Sequence, residues 1–144
     1  MISRWFERKR LSDTSGQALV ESALVMPILL LVVFGIIQFG ITFNHYLTLT
    51  DAVRAGSRQG AVSRLAPNPA QAAIDRVRSA ASGSLDTSPE KLVVTVTFKD
   101  LGGGGQPVQG GDITVKATYP YEINLLGLVV KSGTLTSETT ERVE

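Results

Sequence analysis

The chain has 144 residues, 14 of them Lys or Arg and 13 Asp or Glu, and no cysteine. That length holds about one modest domain plus an appendage. Near-neutral charge without aromatics interleaved among basic residues argues against a nucleic-acid partner, and the lack of thiols removes disulfides, thiolate nucleophiles and Cys-based metal sites together.

The first segment, MISRWFERKR, sets Arg4, Arg8, Lys9 and Arg10 against Glu7. A basic leader ahead of an apolar run is a positive-inside signal, which puts residues 1–16 in the cytoplasm. From Ala23 to Phe43 only Gln38 and Thr42 carry polar side chains. Roughly 20 apolar residues suffice for a helix to cross the hydrocarbon core. The run is too long for a cleaved secretory signal, and Tyr46 to Thr50 offers no small-x-small site. Nor is the rest of the chain large enough to bury such a helix. Residues 17–45 therefore read as one transmembrane helix in membrane lipid, retained as an anchor in the inner membrane, with the following residues extracytoplasmic. Pro27 lies inside it, where a missing donor kinks a helix or serves packing against a neighbour. Glu21 heads a stretch, Ser22 to Thr50, that lacks any Asp, Glu, Lys or Arg. An ionisable group at the rim of a membrane segment costs free energy and marks function.

Residues 46–65 read as an extramembrane continuation of the same helix. Ala52, Gly56 and Gly60 recur every four residues, and small residues at that spacing let backbones approach closely. Either a neighbouring helix or the chain's own C-terminal part can use that face. Asp51, Arg54 and Arg58 form a polar face beside it.

The remainder, 66–144, reads as a small α/β domain. Pro67 and Pro69 end the long helix, and Asn68-Pro69 pairs an N-cap with a Pro at the first helical position. Ala70, Ala73, Ile74, Val77 and Ala81 make an apolar stripe at helical spacing, closed by Gly83. The period then changes to two in LVVTVTF (92–98) and DITVKATYPY (112–121), as in half-buried antiparallel strands. LGGGGQPVQGG between them is a hairpin loop; no Lys-Ser/Thr follows its glycines, so it is not a phosphate-binding P-loop. INLLGLVV, 123–130, is an apolar run too short to span a bilayer; it reads either as core covering the strands or as an exposed patch for a partner or the membrane surface. TLTSETTERV near the end reads as a polar edge strand.

No enzymatic chemistry is expected. His45 is the single histidine, with no second His or Cys to complete a metal site, and no activated nucleophile is visible among the many Ser and Thr. No catalytic residue, metal or cofactor follows.

Gly16 followed by Gln17-Ala18-Leu19-Val20-Glu21 sets a Glu five residues after a Gly, between a basic leader and an apolar helix. That is the layout of a prepilin peptidase site, with cleavage between Gly16 and Gln17. More closely, GQALVESALVMPILLLVVFGIIQFG resembles the TadE-like family of pilin-like proteins of tight-adherence (Flp) pilus systems. TDAVRAGSRQGAV is similar to that family's Ala/Arg/Gly-rich continuation, and ERVE to its usual ending. Ser22 stands where the family commonly has Phe or Tyr. The resemblance implies a pilin-like α+β fold, in which a long N-terminal transmembrane helix extends into a domain of one helix and an antiparallel sheet. It implies a minor pilin or pseudopilin supporting pilus biogenesis and surface adhesion, with Glu21 in subunit assembly. Its partners would be other pilins, tight-adherence assembly proteins and a prepilin peptidase. The alternative is an uncleaved single-pass scaffold or binding module displaying the small domain.

Overall fold

The computed structural model describes residues 14–102, 107–125 and 127–144. The basic leader and the centre of the glycine run lie outside the described residues. Five elements follow in order: α1 (Thr14–Val62), α2 (Pro69–Ala81), β1 (Val93–Phe98), β2 (Asp112–Leu125) and β3 (Leu128–Arg142). The fold is α+β, as the sequence implies.

Helix α1 continues through Pro27. One window within Gly16–Val62 is long and apolar enough to cross a membrane, and none of that window is buried by protein. The large apolar side chains from Leu24 to Phe43 are accordingly exposed along this helix, which suits lipid rather than water as their surroundings.

The C-terminal unit has a core of its own, to which α1 contributes. Leu49, Ala52, Val53 and Ala61 of α1 are buried with Ala73, Val77 and Ala81 of α2 and with Ile113, Val115, Ala117 and Tyr119 of β2. Helix α2 starts where Asn68 Oδ1 accepts from the Gln71 N–H at 3.0 Å, and Pro69 supplies the first helical position. One orphan donor of the first turn is thereby satisfied, and Pro lacks another.

The strands form an antiparallel meander in the order β1-β2-β3. Its inner face follows from the period of two. Phe98 pairs with Ile113, Val96 with Val115 and Val94 with Ala117, and across the other edge Thr139 faces Val115, Ser137 faces Ala117 and Leu135 faces Tyr119. Strand β1 ends its pairing at Thr118, whereas β2 and β3 go on together to Leu125 and Leu128. The sheet therefore narrows to a two-stranded ribbon, closed by Gly127 at φ +89°, a conformation that favours glycine.

The ribbon also answers the question left by INLLGLVV. Leu128, Val129 and Val130 are 74, 56 and 62% exposed, so the second half of this run is exposed and does not cover the strands, whereas Ile123 and Leu125 are half-buried. The run lies beyond the last β1 partner and therefore beyond the reach of the core. The edge strand read from TLTSETTERV begins earlier, at Leu128, for the same reason.

Candidate functional site

Two regions bear on function. At the head of α1, Gly16 is half-buried, and Gln17 and Glu21 are exposed. Glu21 shares one face with Val25 and Leu29, flanked by Ser22 and Met26. A carboxylate so placed presents its charge outward from a helix whose next 29 residues, through Thr50, contain no Asp, Glu, Lys or Arg. Pro27 lies one to two turns further on, in continuous helix.

The small-residue face meets the chain's own domain. Ala52 is 1% exposed. A methyl group added at Gly56 would run into Val77 Cγ2 and would stand 3.0 Å from the Ala73 carbonyl oxygen. At Gly60 it would run into Ile113 Cδ1 and come within 3.1 Å of Ala73 Cβ. Both glycines thus permit close approach of α1 to α2 and β2. Among them Ser57 is fully buried, its hydroxyl donating to the Arg54 carbonyl at 3.0 Å, so the hydroxyl is satisfied within α1.

The second region is a groove of about 540 Å³ between the ribbon and the stretch of α1 ahead of the core. Phe39, Thr42, Phe43 and Tyr46 form the helix wall, and Tyr121, Ile123, Lys131 and Leu135 lie on the ribbon wall. The His45 and Tyr119 rings meet edge to face, with centroids 5.8 Å apart and planes at 76°. His45 is thereby a packing residue here. The Tyr119 hydroxyl accepts from the Asp86 N–H at 3.4 Å. Asp86 also accepts from the Ser88 N–H at 3.0 Å and pairs with Lys91 Nζ at 2.9 Å. The Lys91 ammonium, then the Ser88 hydrogen bonds, hold the Asp86 carboxyl at about 2, below its ordinary 3.8, and the same pair raises the Lys91 ammonium.

Sequence reasoning missed the groove. Its ribbon wall uses Tyr121, Ile123 and Leu135; β2 runs on past Tyr121 to Leu125, but the pairing across the hairpin that builds the wall is not set by a local pattern. Among the described residues, no three His, Asp or Glu side chains gather as a metal ion would require.

A family model described as TadE-like protein matches residues 16–58. The match takes in the helix head, the apolar span and the first part of the small-residue face, and it stops before α2. Comparison with curated proteins and with solved structures gave no match.

Proposed function

We infer from the TadE-like segment at residues 16–58 that this chain, a protein associated with tight-adherence pili, serves there as a minor pilin or pseudopilin. It acts as a structural subunit, without an enzymatic step of its own. The observation that carries this reading is Glu21, an exposed carboxylate at the head of a helical stretch, Ser22 to Thr50, that has no Asp, Glu, Lys or Arg.

A carboxylate near the centre of a membrane helix costs roughly 2.5–3.5 kcal/mol, and less near the rim where it reaches water. An isolated subunit gains nothing from that cost. Cleavage after Gly16 would leave an ammonium group on Gln17, and Glu21 of one subunit could then neutralise the Gln17 ammonium of the next. In a low dielectric such a pair is favourable only while both charges are present, and loss of one partner is costly. The pairing would set the axial stagger between neighbouring helices. The basic leader and the position of the span would put residues 1–16 in the cytoplasm and the domain outside the inner membrane.

Two measurements test this together. N-terminal sequencing of the membrane-extracted protein should give Gln17 with a free or methylated amine. Glu21→Ala should reach normal membrane levels yet fail to enter pili. An intact Met1 terminus with normal piliation in Glu21→Ala would refute the subunit reading. Ser22, in place of the aromatic usual in the family, favours a second reading in which the chain stays uncleaved as an anchored scaffold or binding module. That reading requires Glu21 to be dispensable and the domain to capture a pilus component.

A further inference from the structure

The long ribbon has a direction fixed by two contacts. Ile113 of β2 lies over Gly60 of α1, and Tyr119 of β2 meets His45 of α1. Gly60 to His45 is about 22 Å of helix at 1.5 Å per residue, and Ile113 to Tyr119 is about 20 Å of strand at 3.3 Å per residue. Nearly equal lengths mean that β2 runs close to parallel with the helix axis, towards the apolar span. Beyond Tyr119 the ribbon keeps that course, because Ile123 and Lys131 line the same groove as Phe39 and Phe43. Phe43 ends the apolar segment, and Phe39 sits about 6 Å inside it. The ribbon therefore reaches the end of the apolar segment, level with Phe39 and Phe43.

The chemistry of the tip changes at that level. Glu122 pairs across the ribbon with Ser132, and Ile123 with Lys131. Past this collar the described residues are apolar, apart from Asn124 and Gly127. Leu125 faces Leu128, and Asn124 faces Val129, so apolar side chains occupy both faces. A packing surface needs one apolar face; a tip apolar on both faces suits immersion.

We propose that the tip of the β2–β3 ribbon is a second membrane contact, seated in the interfacial layer of the leaflet from which α1 emerges, with Lys131 reaching phospholipid phosphates. Its depth is limited. A two-stranded ribbon leaves N–H and C=O groups unpaired along both outer edges, and these are not tolerated in hydrocarbon. Apolar elements that lie on a membrane enter about 5–10 Å into the headgroup–acyl boundary. Lys131 can extend its apolar stem along the ribbon and keep its ammonium among the phosphates. The contact would restrain the tilt of α1 and its domain together against the bilayer, which a single helix leaves free. It requires that α1 sit in a bilayer, not that the chain enter a pilus.

Because the chain has no cysteine, Val129→Cys can carry an environment-sensitive fluorophore in the full-length protein, reconstituted into phosphatidylethanolamine–phosphatidylglycerol vesicles. Thr97→Cys, on the exposed side of β1, and Leu31→Cys, within the span, serve as references. The Val129 label should emit to the blue of the Thr97 label, lose intensity with lipids spin-labelled near the headgroup, and resist aqueous iodide. Adding Lys131→Glu should reduce the lipid quenching. Iodide quenching at Val129 equal to that at Thr97, with Leu31 still quenched by deeply labelled lipids, would overturn the proposal and leave the anchor intact. Protection at Val129 from both iodide and lipid would overturn it too, since protein would then cover the tip. A Leu31 label quenched by iodide alone would remove the span and the proposal with it.

Discussion

Gly56→Ala puts the close approach of α1 to its own domain to a quantitative test. In an unconstrained helix this change stabilises by about 0.8–1.0 kcal/mol through backbone entropy. Here the new methyl would collide with Val77 Cγ2 and stand 3.0 Å from the Ala73 carbonyl oxygen. Neither neighbour can yield cheaply. Val77 is fully buried and β-branched, with one strongly preferred helical rotamer, and the Ala73 oxygen belongs to the backbone of α2. Overpacking of this kind costs about 1–3 kcal/mol, and the rigid neighbours put this site in the upper part of that range. The net loss should be about 1–2 kcal/mol, or a fall of roughly 5–15 °C in the domain's Tm. Thermal unfolding of the full chain in mild detergent, followed by the near-ultraviolet dichroism of its tyrosines, measures this. Gly40→Ala, whose methyl meets nothing within 4 Å, should not lower the transition. Val77→Ala alone opens a cavity costing on the order of 2 kcal/mol. Combined with Gly56→Ala it should recover at least about 1 kcal/mol relative to the sum, as expected for residues in contact. A higher Tm in Gly56→Ala, with simple additivity in the double variant, would refute the reasoning.

Other outcomes follow from the same contacts. A fragment of residues 66–144 lacks Leu49, Val53 and Ala61, all part of the core; it should unfold at lower urea concentration than a fragment beginning at residue 47, and equal midpoints would contradict this. Asn68→Ala removes the acceptor for the Gln71 N–H and should cost about 0.5–2 kcal/mol, measured by the same denaturation. Asp86 has its carboxyl lowered from 3.8 to about 2 in the folded chain, so its contribution is complete above about pH 4 and fades as the pH falls towards 2. Asp86→Asn should flatten the stability profile across that window, and an unaltered profile would show that the Lys91 pairing is not maintained in solution.

The sequence made some parts of this fold legible and hid others for definite reasons. Helix α2 could be placed closely because Asn68, Pro69 and the Ala73–Val77–Ala81 stripe are local signals that tertiary structure did not override. Strand β1 was likewise marked by alternation. The length of β2 and β3 was not, because apolar residues occupy both faces of the ribbon tip and break the period of two, so INLLGLVV could be read as core. Gly56 and Gly60 announced a close approach, but spacing alone cannot name the partner; α2 and β2 supply it. The groove needed the register of Ile123 with Lys131, a pairing across a hairpin that no local pattern specifies. At the helix head the reverse holds: Gly16, Gln17 and Glu21 are legible from sequence, and their exposure on α1 adds the position of a charge without adding a partner.

The domain is closed where the residues after β3 meet the end of α1. Val143 is buried, its N–H donates to the Gly111 carbonyl at 2.8 Å, and the Glu144 N–H donates to the Ala61 carbonyl at 3.2 Å. Synthesis delivers α1 before the strands that cover it, so Leu49, Val53 and the cramped glycine face must wait, uncovered, while α2 and three strands emerge. Contacts so far apart in the chain form slowly, since the intervening loop must be ordered before they reward it. Throughout that interval the waiting surface is an uncovered helix face of small and apolar residues, open to any other helix that meets it. Folding on time is then a race between the chain's own β-strands and a trespassing neighbour.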